Sequence, residues 1–159
     1  MADYKASIRW QRGGAVFTDN RYSRAHQWQF DEGYEVQASA SPHIVPLPFS
    51  REDAVDPEEA FVAALSSCHM LWFLSIAAKR NFCVDAYHDD ACGKMHEDAA
   101  GRLSITEVIL RPKAVFSGEH SPSETDIQHM HEEAHRECFI ANSVKTEVRC
   151  QPVFVACEA

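Results

Sequence analysis

Asp56-Pro57-Glu58-Glu59-Ala60-Phe61-Val62-Ala63-Ala64-Leu65-Ser66-Ser67-Cys68-His69-Met70 opens the longest apolar run of the chain, which continues to Ala78. Asp56 is a good N-cap, Pro57 suits the first helical position and Glu59 completes a capping box. The spacing predicts a helix over 60–78, closed by Lys79, Arg80 and Asn81. Its residues are apolar nearly all round, so protein must surround it on most sides. One 159-residue subunit has little material for that, and an intertwined dimer would supply the cover. A spanning helix needs roughly 20 mainly apolar residues; Ser66, Ser67, His69 and Ser75 interrupt this run, so it reads as a core helix and no membrane partner is expected.

Around this helix the pattern is strand-like. Lys5–Trp10 alternates, and His26–Phe30 and Tyr34–Ala38 flank the tight turn Asp31-Glu32-Gly33. Ser41–Val55, with three prolines, reads as a surface loop. Two long segments follow, Phe82–His96 and Leu103–Phe116, joined by a turn at Asp98–Gly101 and expected to pair antiparallel. Ser121-Pro122-Ser123-Glu124 signals a second helix, with a capping box and proline at its first position. It runs to about Cys138, with Asn142 as terminator. Val144–Val148 and Val153–Ala156 are closing strands. The order is α+β rather than a doubly wound sheet, in a single domain over 1–159.

Composition removes several functions. The hydrophobic share of 45% supports a real core. A net charge of −9 argues against nucleic acid and against an anionic membrane surface. Met1–Ala6 lacks a basic region followed by an apolar run, so a secretory signal is not expected. The six cysteines then meet a reducing, cytoplasmic environment. No Cys-x-x-Cys occurs, which disfavours a zinc ribbon or a thioredoxin motif.

Two cysteines stand apart: Cys68 on the central helix and Cys138 at the end of the second. A thiol reacts as thiolate, and a free Cys has a pKa of about 8.5. Cys68 is three turns into its helix, beyond the reach of the dipole, and burial would raise its pKa. If reactive, it needs a cation from another element, most simply an arginine. The bland reading is an inert buried cysteine, and Cys83, Cys92, Cys150 and Cys157 keep that reading. His69 points about 100° away from Cys68 around the helix. Glu58, ten residues earlier, is about 15 Å along an unbroken helix. Cooperation between the two therefore needs an intervening arginine or a partner subunit.

His131-Glu132-Glu133-Ala134-His135 fits the His-Glu-x-x-His pattern of zinc peptidases. The competing reading is solvated histidines, with incidental metal binding by His129, His131 and His135. A third ligand from the last two dozen residues would have to be Glu147 or Glu158.

The stretch Asp56–Met70, together with Ala134-His135-Arg136-Glu137-Cys138-Phe139-Ile140-Ala141-Asn142-Ser143-Val144, resembles the OsmC/Ohr family of hydroperoxide-reducing proteins, on its OsmC-like branch. The resemblance implies an intertwined homodimer with two central helices against antiparallel sheets. It implies a thiol peroxidase for organic hydroperoxides that uses no cofactor and no metal. Cys68 would be the peroxidatic thiol, Cys138 the resolving thiol, and Glu58 the carboxylate that orients an arginine. Arg24 is favoured for that arginine, with Arg12 and Arg21 open. A dithiol reductant, lipoyl-bearing or small, would restore the thiols. Phe61, Leu65 and Phe139 would line an apolar pocket, or simply pack the core. The alternative is a non-catalytic dimer of the same fold that binds a small ligand or senses redox state.

Overall fold

The computed structural model describes residues 1–154. Its chain divides into two compact units, residues 1–60 and the remainder from Phe61. In the first unit β1 (Ser7–Arg9), β2 (His26–Gln29) and β3 (Glu35–Ala38) form an antiparallel sheet in the order β1-β2-β3. The β2–β3 hairpin closes as its turn residues demand. Phe30 N–H bonds Tyr34 O at 2.8 Å, and Glu32 and Gly33 take positive φ between them. The loop after β3 returns so that Val55 lies parallel to Ala38. Ser39 N–H donates to Val55 O and Val55 N–H to Gln37 O. This delivers Asp56 to the helix start.

There the cap forms as the sequence predicts. Glu59 N–H donates to Asp56 Oδ1 at 2.7 Å and Asp56 N–H to Glu59 Oε2 at 3.3 Å. Helix α1 then runs unbroken from Pro57 to Lys79. Asn81, with φ of 60°, ends it in the left-handed conformation common after helices.

In the second unit the two long strand segments each break in the middle. They give β4 (Cys83–Asp89), β5 (Cys92–Glu97), β6 (Leu103–Leu110) and β7 (Pro112–Ser117). β4 pairs with β7 and β5 with β6, both antiparallel as expected, but in two separate sheets. The break falls at Asp90-Ala91 and Arg111. Asp89 fastens it, accepting Arg111 N–H at 2.6 Å and Ser66 Oγ–H at 2.5 Å. Helix α2 spans Glu124–Glu137. Its N-cap is Ser123, not Ser121, because Asp126 completes a reciprocal box: Asp126 N–H bonds Ser123 Oγ and Ser123 N–H bonds Asp126 Oδ2. Pro122 therefore precedes the helix.

β8 (Glu147–Cys150) joins the second sheet parallel to β6, giving the order β5-β6-β8. The sheets are antiparallel as expected at every other strand pairing. α2 carries the chain back across, which is what a parallel pairing requires. Val153 and Phe154 belong to no strand, although Val153 N–H bonds Pro112 O; the rest of the strand expected there lies outside the described residues.

α1 packs against both sheets. Near its start Leu65 is buried with Val108 and Leu110 of β6. Near its end Phe73, Ile76 and Ala77 are buried with Met130 and Ala134 of α2, and β4 and β7 cover them. Gly93 of β5 permits the close approach: a Cβ there would fall 2.7 Å from Val62 Cγ2. Cys68 and His69 lie in sequence between these two cores.

By length and composition α1 could cross a membrane, and 28% of its most apolar window is buried. Its buried residues include His69 and pack against sheets and α2, which is how a core helix is used. On the opposite face Leu71 is 62% exposed.

Candidate functional site

Cys68 opens onto a cavity of about 470 Å³ in the second unit. Ala64, Ser67, Leu71, Trp72 and Ser75 line it from α1, and Phe139 and Ile140 line it from beyond α2. Ala64, Leu71, Trp72 and Ser75 fall four before and three, four and seven after Cys68, as one helix face must. That spacing was the available signal for Trp72. Trp72 and Phe139 meet edge to face at 5.4 Å. Of the three pocket residues expected, Phe139 is present. Leu65 is buried in the core and Phe61 packs against it.

Cys138, the C-cap of α2, is 1% exposed. Its pKa is pushed up to about 11, first by burial and then by the neighbouring Cys68 thiol. Ala141 N–H donates to its sulfur at 3.4 Å. The structure thus brings the two sequence-selected thiols together. Cys68 faces the cavity, and Cys138 lies beneath as a neutral thiol at ordinary pH.

Glu58 and Arg24 belong to the first unit. Glu58 Oε2 is buried with no hydrogen-bond partner among the described residues. Arg24 is held by its own loop. Its guanidinium donates to Asn20 O (2.9 Å), Tyr22 O (2.5 Å) and Asn20 Oδ1 (2.6 Å), and lies 3.9 Å over the Tyr22 ring. It makes no ion pair with Glu58 among the described residues. Arg21 lies over Phe49 at 5.8 Å.

Cys83 and Cys92 are exposed strand residues, and Cys157 lies outside the described residues. Cys150 is not the isolated strand cysteine expected. It is half-buried beside two buried histidines: His69 Nε2 is 2.9 Å from His131 Nδ1 and 3.6 Å from Cys150 Sγ. Phe73 stacks on His131 at 4.1 Å. Burial pushes His69 down to about 4, helped by His135, and His131 down to about 3, helped by His69. Burial, with Asp89 adding, pushes Cys150 up to about 12. Both imidazoles are therefore neutral, and one nitrogen donates to the other. Neither the peptidase reading nor solvated histidines describes this arrangement. His131 faces His69, and Glu132 is exposed. The third group from the last two dozen residues is Cys150, not a glutamate. Sequence missed the trio because its members are 62 and 81 residues apart.

With this geometry in hand, known proteins resemble the chain as follows. The family model of OsmC-like proteins matches residues 50–152, and the chain belongs to that family. An OsmC-like protein of unknown function from Vibrio cholerae is 54% identical, with a TM-score of 0.95 over 96% of this chain and 100% of that one. An organic hydroperoxide resistance protein from Elizabethkingia anophelis shares the fold at 16% identity, with a TM-score of 0.69 over 97% and 96% of the two chains. The organic hydroperoxide resistance protein OhrB of Bacillus subtilis does so at 15%, with a TM-score of 0.65 over 97% and 98%. No curated protein matches the chain.

Proposed function

We propose that this protein is a thiol peroxidase for organic hydroperoxides. The observation that carries the reading is one cysteine on the wall of an apolar cavity with a second, buried cysteine beside it. The cavity suits an alkyl or aryl peroxide, whose apolar part would lie against Leu71, Trp72 and Phe139. Membership of a family whose fold is shared by organic hydroperoxide resistance proteins supports the same chemistry.

The Cys68 thiolate attacks the distal peroxide oxygen. The O–O bond breaks, the sulfur is oxidised to a sulfenic acid, and the alkoxide leaves as an alcohol after taking a proton. Cys138 keeps its proton until that point. It then condenses with the sulfenic acid, forming the Cys68–Cys138 disulfide and releasing water. An external dithiol, free or lipoyl-bearing, reduces the disulfide.

Arg24 supplies the cation for the thiolate, with Arg12 and Arg21 as the other candidates, and Glu58 orients it. The unpartnered Glu58 oxygen supports a cation beside it. A homodimer would cover the apolar face of α1 around Leu71. The second reading, ligand binding or redox sensing without turnover, is favoured by one fact: among the described residues no cationic side chain lines the cavity. The deciding experiment is consumption of cumene hydroperoxide with dihydrolipoamide as reductant. Sustained turnover that Cys68→Ser abolishes is expected. Stoichiometric thiol oxidation without turnover would establish the sensing reading instead.

A further inference from the structure

We infer that His69, His131 and Cys150 form a three-ligand site for zinc(II) or a comparable borderline-soft divalent cation, separate from the Cys68–Cys138 pair. The three donors come from α1, α2 and β8, and their ligand atoms all lie within 4.8 Å of one another. Tetrahedral zinc has Zn–N of about 2.0–2.1 Å and Zn–S of about 2.3 Å, which places neighbouring nitrogen and sulfur ligands about 3.6 Å apart and two nitrogens about 3.4 Å apart. The Cys150–His69 distance of 3.6 Å already meets this. The His69–His131 distance of 2.9 Å must open by about half an ångström as the metal enters and the ring proton between the two nitrogens moves to the other nitrogen of its own ring, so that both imidazoles stay neutral.

The surroundings argue against a merely packed trio. Phe73 stacks on His131, and both histidines are 1% exposed. Placing two imidazoles in such a core costs free energy unless strong partners compensate. Without an ion, the return within the trio is one imidazole–imidazole hydrogen bond and one long sulfur contact. An ion gives all three groups a strong partner.

The charge also balances. Zinc takes the proton's place on Cys150, so one thiol proton leaves to solvent and the centre carries one net positive charge. Asp89, whose charge acts on Cys150, supplies the compensating negative charge. It is held in place by Ser66 Oγ–H and Arg111 N–H. Three protein ligands leave a fourth position open. The Tyr87 hydroxyl, buried without a partner among the described residues on a ring 6.4 Å from that of His131, is a polar group close to the trio.

The test uses the whole reduced protein, freed of metal by chelation and titrated with cobalt(II) as a spectroscopic stand-in for zinc(II). One equivalent should give tetrahedral d–d bands and a near-ultraviolet thiolate-to-cobalt transition, both removed by zinc. Cys150→Ser should abolish the thiolate transition and weaken zinc binding about 100-fold or more, since even loss of a group supporting a ligand costs about 10–100-fold. The Cys68→Ser, Cys138→Ser double variant should keep the spectrum. His131→Gln should weaken both metals; should it fail to fold, the isosteric Cys150→Ser still decides. No stoichiometric binding by the folded protein would overturn the proposal. So would a thiolate band that survives Cys150→Ser or vanishes in the double variant.

Discussion

Cys68 and His69 are consecutive residues of one helix, and they face different surroundings. Cys68 looks onto a cavity walled by Leu71, Trp72 and Phe139, with Cys138 behind it. His69, turned about 100° around the helix, is sealed in the core against His131 and Cys150. The comparison separates two uses of sulfur in one protein. A thiol that a small molecule can reach, next to a second thiol that keeps its proton, is arranged for oxidation. A thiol pushed up to about 12 and surrounded by neutral imidazoles is arranged to be held, not to react.

The contrast is broken first at Cys68. Cys68→Ser should reduce hydroperoxide turnover to background, while serine at exposed Cys83 or Cys92 should leave it unchanged in a coupled dithiol assay. Cys138→Ser should permit the first oxidation and then let Cys68 pass to sulfinic acid, seen by peptide mass spectrometry; full cycling without Cys138 would remove its resolving role.

The core side is probed by Phe73→Ala. It loses a fully buried ring and the stack on His131, and should cost about 3–5 kcal/mol in urea unfolding. Arg24→Ala should slow the first oxidation by about tenfold or more, the size of a lost charge-assisted contact, in stopped-flow kinetics. If Arg12→Ala or Arg21→Ala does so instead, the cation is theirs.

The smallest effect is a pH dependence. The Cys138 pKa is raised from 9.0 to about 11 in the fold, by burial first and by Cys68 second. The folded state therefore binds the proton more tightly than the unfolded chain. That contribution is fully present below about pH 9 and is lost as pH rises through about 11. Thermal unfolding should show stability falling across this window, and Cys138→Ser should make the fall shallower, leaving the part due to Cys150, which burial pushes up to about 12.

The parts of the fold fixed by local chemistry were legible in the sequence. Asp56, Pro57 and Glu59 mark the start of α1, and the Asp31-Glu32-Gly33 turn marks the first hairpin, because caps and turns are settled by adjacent residues. The sequence places the start of α2 two residues early, since Ser121 and Ser123 both open capping boxes and only the Asp126 contact decides between them. The long strands looked continuous because nothing in the alternation around Asp90-Ala91 and Arg111 announces a change of sheet. Asp89 fastens that break from 22 residues away. In the site, Cys68 and Cys138 were marked by their helical contexts. The partnership of His69, His131 and Cys150 depends on three elements folding together, and the parallel placement of β8 brings Cys150 into it.

The most direct test of the central claim is to treat the reduced protein with one equivalent of cumene hydroperoxide and map the product by intact and peptide mass spectrometry. Rapid loss of two hydrogens, located in a Cys68–Cys138 crosslink, is the predicted result. Thiols unchanged after minutes, or a disulfide that instead engages Cys150, would contradict the division of roles between the two sides of α1.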